Sequence, residues 1–417
     1  MSAQQLTRDT IDIIDPGHYQ RNGYPHDEWA LLRREAPVYW FGRTRGVPFW
    51  AITKHADIVA LSKQPRILHN EPRLALFPDE EEASGGVGDE EGRHLLTMDP
   101  PMHGQYRRLI SSQFTPRAVR AKADDIDRIA REILDEISPD GESGETDFVL
   151  SVASVLPIAV IAEMLGVPRA DWKLMFQWTN EMIGANDPEY RREGETADET
   201  SERARLAALE YFAAMAEDRR KQPRDDIVSV LANAKVDDEP MPFENLMSFF
   251  NLIVIAGNEP TRNATSGRLL ALIENPDELE KLRRDPSLIP SAVEEIVRWT
   301  TPVIQFCRTA TQDIEIRDTK VRQGEAFCLF YPSANRDEDV FETPNEFRID
   351  RDPNPHIGIG EHFCLGAYFA RMELTAVFRN LIARLDHVEL IGPVERLRSS
   401  LLGGVKHMPI RYRLRAA

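Results

Sequence analysis

The sequence predicts a mainly α-helical protein with a small β-rich region (α+β), on three observations. Apolar residues recur with a helical period through most of the chain before residue 301. One apolar run, residues 242–272, is long enough for a helix of ~45 Å at ~1.5 Å per residue. Short β-branched and aromatic stretches are confined to residues 37–52, 303–331 and 386–414. No proline- or glycine-rich linker divides the 417 residues, so residues 1–417 are read as one domain.

Composition narrows the function classes. A chain that is 42% hydrophobic and 29% charged can bury a large core and a cofactor. Its net charge of -18 argues against nucleic acid as a partner, because phosphate binding needs a basic face. Cys307, Cys328 and Cys364 make no Cys-x-x-Cys pair and no even framework. That fits a reducing compartment and speaks against a zinc site or a disulfide scaffold. Residues 1–17 are polar and acidic, and no run has membrane length, so a cytoplasmic protein without a membrane anchor is expected.

In chain order, residues 1–25 read as an irregular arm, 27–35 as a helix, 37–41 and 48–52 as short strands, and 55–63 as a second helix. Periodicity is lost over 70–94, where two acidic runs and Gly85-Gly86 mark a long mobile loop with a solvated face. Asp99-Pro-Pro-Met-His103 turns into a helix that carries His103 and Arg107 on one face. Basic residues continue at Arg108, Arg117, Arg120 and Lys122. Helical patterns follow over 123–137, 151–165 and 170–183, then a polar loop over 184–202 and a helix over 203–221.

The long helix has Ala256-Gly257-Asn258-Glu259-Pro260-Thr261-Arg262-Asn263 at its middle. A glycine, an acid and a proline are each unfavourable inside a buried helix. Together they point to function, because sequences break local rules mostly at functional sites. Glu295-x-x-Arg298 lies on the next long helix, over 289–299, where the two side chains can meet, although charged helices often contain this pair by chance. Strand-like pieces at 303–310, 314–316 and 326–331 lead into a polar meander over 335–351. Then comes His356-Ile-Gly358-Ile-Gly360-Glu-His362-Phe-Cys364-Leu-Gly366, followed by a helix to about residue 385 and a β-rich tail. Taken alone, Cys364 reads as a small buried hydrophobe.

The spacing Gly-x-Gly-x-His-x-Cys-x-Gly over 358–366 resembles the heme-thiolate loop of cytochrome P450 enzymes. Together with the His103/Arg107 helix, the acid-bearing long helix, Glu295-x-x-Arg298 and the meander, it makes the chain similar to bacterial soluble P450s over nearly its whole length. Ala256-Gly-Asn-Glu259 and Gly403-Gly-Val-Lys-His-Met-Pro409 are more narrowly similar to members that oxidise sterols, isoprenoid chains and terpenes.

The resemblance implies a cytochrome P450 fold and heme b, with Cys364 as axial thiolate and metal ligand and Gly366 beside the ring. It implies His103, Arg107, Arg308 and His362 as donors to the two propionates. Glu295 and Arg298 would form a buried network with Arg351, although Glu346 stands where some relatives have arginine. Ala256, Gly257, Glu259, Pro260 and Thr261 would carry oxygen activation and proton delivery. Two positions depart from the family: Pro260, where relatives usually have threonine, and Ile357, where they usually have phenylalanine.

The implied activity is a monooxygenase that inserts one atom of O2, with electrons from NAD(P)H through ferredoxin reductase and ferredoxin. The basic residues from Arg107 to Lys122 would offer that partner a docking face, and a monomer is expected. Leu74, Leu76, Phe77, Ile253, Ala256, Val303, Ile304, Leu401 and Leu402 would line the pocket. All are apolar, so a neutral hydrophobic small molecule (a terpenoid, sterol-like or aromatic compound) is expected. Two alternatives stand beside this reading. One is a peroxide-using P450 peroxygenase, suggested by the missing threonine. The other is a non-catalytic heme-binding sensor, for which no output domain is visible.

Overall fold

Helices carry most of the chain in the computed structural model, which describes residues 7–8, 10–42, 47–76, 93–139, 141, 143–184, 187–357 and 362–416. Phe77, most of the acidic loop, Gly358 and Gly360 lie outside the described residues.

The chain opens with α1 (Pro16–Asn22) and α2 (His26–Glu35), where the sequence reads as an irregular arm up to residue 25. Asp15 accepts the Gly17 N–H and Pro16 takes the first helical turn, which is the start signal that the reading missed. Then follow β1 (Val38–Phe41), β2 (Phe49–Ile52), α3 (His55–Ser62), β3 (Leu68–His69), α4 (Met102–Ser111), α5 (Pro116–Ala121) and α6 (Ala123–Ile137). Ile126, Ile129, Ala130, Ile133 and Leu134 form the buried stripe of α6 at helical spacing.

A strand not expected from the sequence, β4 (Ser143–Asp147), comes before α7 (Val155–Leu165) and α8 (Trp172–Gly184). The loop expected up to residue 202 ends earlier, because α9 runs from Ala197 to Lys221. Its start is fixed by a reciprocal cap: Glu199 N donates to Thr196 Oγ1 at 3.2 Å and Thr196 N to Glu199 Oε2 at 2.8 Å. After α10 (Ile227–Ala232) and the pair β5 (Lys235–Val236) and β6 (Glu239–Pro240) comes α11 (Phe243–Glu274), the 32-residue helix, continuous through Pro260. It packs on α7, α8, α9 and two later helices, α13 (Ile289–Thr300) and α15 (Ala367–Arg384), with α12 (Pro276–Arg284) and α14 (Tyr331–Ala334) between.

The remaining strands are β7 (Gln305–Ala310), β8 (Ile314–Ile316), β9 (Thr319–Val321), β10 (Ala326–Phe330), β11 (Leu385–Leu390), β12 (Glu395–Arg396), β13 (Val405–His407) and β14 (Pro409–Leu414). The largest sheet runs β1-β2-β10-β7-β3, and a second runs β11-β14-β4. The register of β10 on β7 places Cys328 opposite Cys307, their Cα atoms 4.3 Å apart and their sulfurs in contact. Among the described residues, no helix is long and apolar enough to cross a membrane.

Candidate active site

Cys364 stands three residues before α15, whose first turn receives the chain through Gly366. The Ala367 N–H donates to the Cys364 carbonyl at 3.3 Å. A Cβ at Gly366 would meet nothing within 4 Å, so the loop borders open space. Cys364 itself is exposed, yet burial among protein atoms pushes its thiol up. Both hold for a sulfur that faces interior space. The Gly366 amide, Arg107 and Arg371 act the other way and favour the thiolate.

Positive charge gathers beside this sulfur. The rings of His103 (α4) and His362 lie 4.1 Å apart between centroids. One turn along α4, Arg107 Nη2 donates to the Phe363 carbonyl at 2.6 Å. Arg308 enters from β7, nearly buried, with Nη1 on the Cys307 carbonyl at 2.7 Å. Burial, then His103, Arg308 and Arg107, drive the His362 imidazole down to about 2. The four residues expected to bind propionates therefore converge, and their mutual repulsion in a buried place is what two carboxylates would relieve. The donor set fits heme: one sulfur facing open space, a glycine that leaves room, and a cationic cluster at its edge.

Behind this loop, Glu295, Arg298 and Arg351 are buried together. Arg298 donates twice to Glu295, at 2.7 Å each, and Arg351 Nε donates to Glu295 Oε2 at 3.0 Å. Glu346 contributes only its backbone carbonyl, which accepts from both arginines, so the third member is Arg351. Ile357 packs among apolar neighbours of the sheet, as an ordinary hydrophobic replacement would. Sequence reasoning did not identify Arg371, which clasps Glu294 at 2.6 and 2.8 Å while His356 reaches the same carboxylate at 2.7 Å.

On α11, Ala256 is exposed although most of the helix around it is buried, so this face opens onto interior space. Pro260, one turn on, is half-buried on the same side. Gly257 is turned away: a Cβ there would come within 3.1 Å of Ile161 on α7, so this glycine permits helix packing. Thr261 is buried, and its carbonyl accepts the Thr265 hydroxyl. Glu259 is buried and pairs with Arg262, which also donates to Asn180 Oδ1 at 3.0 Å. Burial raises the Glu259 carboxyl, with Arg262 and the nearby Asn263 amide opposing. The Arg262 partner was legible in principle, because it has the same three-residue spacing that singled out Glu295 and Arg298.

The expected pocket residues divide. Leu74, Val303 and Leu401 are half-buried and Ile253 and Leu402 nearly buried. They are tied together by Val303 bridging Leu402 and by the Ile304 N–H on the Leu401 carbonyl at 2.8 Å. Leu76 and Ile304 fill the apolar cluster of Trp29, Phe49 and Phe330 and present no open surface. They are core, because a side chain that lines a cavity keeps accessible area.

Residues 151–400 match the family described as Cytochrome P450. The chain is 36% identical over 397 residues to a steroid C26-monooxygenase of Mycolicibacterium smegmatis, covering 93% of this chain and 90% of that protein. It is 37% identical over 406 residues to cytochrome P450-terp of a Pseudomonas species, covering 93% of each. A Mycobacterium marinum cytochrome P450 solved in complex with pseudoionone superposes with a TM-score of 0.87 at 33% identity, covering 98% of this chain and 100% of that one.

Proposed function

The chain belongs to the cytochrome P450 family of heme monooxygenases, and from that membership we propose that it oxidises a neutral terpenoid, sterol-like or aromatic molecule with electrons from NAD(P)H passed through a ferredoxin reductase and a ferredoxin. A small-molecule substrate, O2 and a redox partner are common to the family. The observation that carries the reading is the Cys364 sulfur, deep in the protein yet open, with Arg107, Arg308 and the two imidazoles of His103 and His362 converging beside it.

Heme b, held here through Cys364, would supply the activation of O2. The protein's own contributions follow from its geometry. The Gly366 amide and the N-terminus of α15 favour the Cys364 thiolate. His103, Arg107, Arg308 and His362 would hold the two propionates. Glu295, Arg298 and Arg351 hold the meander against α13, which fixes the approach to the cysteine loop. Glu259, buried against Arg262 and with its carboxyl raised by burial, would take up and pass on a proton, and Arg262 would offset the charge left behind.

Apolar Leu74, Ala256, Val303 and Leu401 favour a hydrophobic substrate, as do the names of the relatives above. Arg108, Arg117, Arg120 and Lys122 are exposed on α4, α5 and the residue after them. In a chain of net charge -18 such a cluster suits an acidic ferredoxin, and added salt should slow reduction. A cytoplasmic monomer completes the proposal.

The test is a panel of terpenes, steroids and aromatics, screened for a shift of the heme from low to high spin and for product with the reconstituted electron chain. A shift and product with a member of the panel are expected. A protein that carries heme on Cys364 yet responds only to charged molecules overturns the substrate class. One observation favours a second reading: Pro260 puts no hydroxyl on the open face, which suits a peroxide-driven enzyme. Turnover with peroxide alone, faster than with the electron chain, would establish it.

A further inference from the structure

Glu294 precedes Glu295 on α13, and an α-helix turns about 100° between neighbours. Glu295 therefore faces the meander, whereas Glu294 faces the cysteine loop. Its carboxylate meets both flanks of that loop. Upstream, His356 Nε2 donates to Glu294 Oε2 at 2.7 Å. Downstream, Arg371 Nε donates to Oε1 at 2.6 Å and Arg371 Nη2 to Oε2 at 2.8 Å. His356 lies eight positions before Cys364 and Arg371 seven after it.

From Arg371 the contacts continue to the cysteine itself. Arg371 Nη1 donates to the Ala367 carbonyl at 3.2 Å, and the Ala367 N–H donates to the Cys364 carbonyl at 3.3 Å. Arg371 and the Cys364 sulfur also act on each other's charge. Two other ties hold the upstream flank alone: His55 Nε2 donates to the Pro355 carbonyl at 2.8 Å, and the Ile357 N–H donates to Asn335 Oδ1 at 2.8 Å. Glu294 differs from them in reaching both flanks. Burial works against its charge, but the bonds from His356 and Arg371 outweigh it and hold the carboxyl down to about 2. Glu294 is therefore a carboxylate across the physiological range.

We propose that Glu294 is a positioning residue that closes the loop carrying Cys364 and, through Arg371, sets the net charge that the sulfur meets. The inference rests on Cys364 being the thiolate that holds heme. Fastening both flanks of a loop removes freedom from its middle, so the sulfur keeps one position. The paired charges of Glu294 and Arg371 largely cancel at the sulfur. Losing one member leaves the other uncompensated, and a lone carboxylate disfavours an electron added to heme while a lone guanidinium favours it. A tie that acted by shape alone would give both losses the same sign, since either one opens the loop.

The test uses the heme-loaded enzyme and the variants Glu294→Gln, Arg371→Gln, the double of these two, and Glu294→Ala. The first readout is the reduction potential. Glu294→Gln should raise it and Arg371→Gln lower it, each by about a threefold change in the equilibrium constant for reduction, and the double variant should return close to the native value. The second readout is the loop itself. Glu294→Ala loses the contacts as well as the charge, so backbone hydrogen exchange at residues 356–357 and 367–371 should quicken. Heme should then pass to a scavenging protein about tenfold faster. Glu294→Gln keeps an oxygen that can accept from Arg371 and should hold heme longer than Glu294→Ala. Potential shifts of the same sign, or none, in the two single Gln variants overturn the charge role. Native exchange on both flanks of Glu294→Ala overturns the closure. A Cys364→Ala protein whose bound heme keeps the native spectrum overturns the thiolate reading instead.

Discussion

Glu373 on α15 is 4% exposed, and its Oε2 has no hydrogen-bond partner. Burial alone pushes its carboxyl up from 4.5 to about 8. Unfolding returns the group to water, where it ionises at its ordinary value. Between those two pH values the folded protein holds a proton that the unfolded chain has lost, so stability falls as pH rises. A salt-bridged carboxylate behaves in the opposite way. Each pH unit within the window costs about 1.4 kcal/mol, which integrates to about 5 kcal/mol by pH 8. That is a large part of the roughly 5–15 kcal/mol that holds a typical fold. Glu373→Gln keeps the shape and cannot ionise. Urea unfolding of the heme-loaded protein, followed by both the heme band and far-ultraviolet dichroism, should show the variant close to the native protein near the acid end of the window. By about pH 8 the variant should be more stable by several kcal/mol. Parallel profiles across the window would refute the reasoning, because they would mean that Glu373 finds a partner or water in the folded protein.

Arg268 is the cationic counterpart: fully buried, with no hydrogen bond from any guanidinium nitrogen, its charge resting 3.8 Å from the Phe378 ring centre. Arg268→Met is expected to stabilise the protein by about 1–4 kcal/mol in urea unfolding, since the desolvation cost exceeds what one ring returns. Arg351→Met removes one of the two arginines on Glu295 and releases the carbonyls of Glu342, Thr343 and Glu346; a loss of about 3–5 kcal/mol and poorer heme retention should follow. Pro260→Thr places a hydroxyl on the open face of α11 and should raise product formed per NADH; an unchanged ratio would show that the position carries no weight in coupling.

Periodicity made α6, α11, α13 and α15 legible, because each buries a stripe or a whole surface that apolar spacing records. It did not reveal β4, whose residues Ser-Gly-Glu-Thr-Asp are polar and lie at a sheet edge. It also missed α1 and the start of α9, which are set by Asp15 and by the Thr196/Glu199 cap rather than by hydrophobic pattern. At the site, the resemblance pointed to His103, Arg107, Arg308, His362 and Cys364 in three distant segments. It did not separate lining from core, since Leu76 and Ile304 are as apolar as Leu74 and Val303 and differ only in which way they face.

The sheet β11-β14-β4 puts the last-made of its three strands in the centre. Residues 143–147 leave the ribosome long before residues 409–414, and until then β4 has no strand to pair with. The β4 edge is therefore exposed to other chains throughout synthesis, and loss of β14 would strand β4 and β11 together. Protein made with a stop after β13 should accumulate as aggregate, although every residue expected to bind heme is already present.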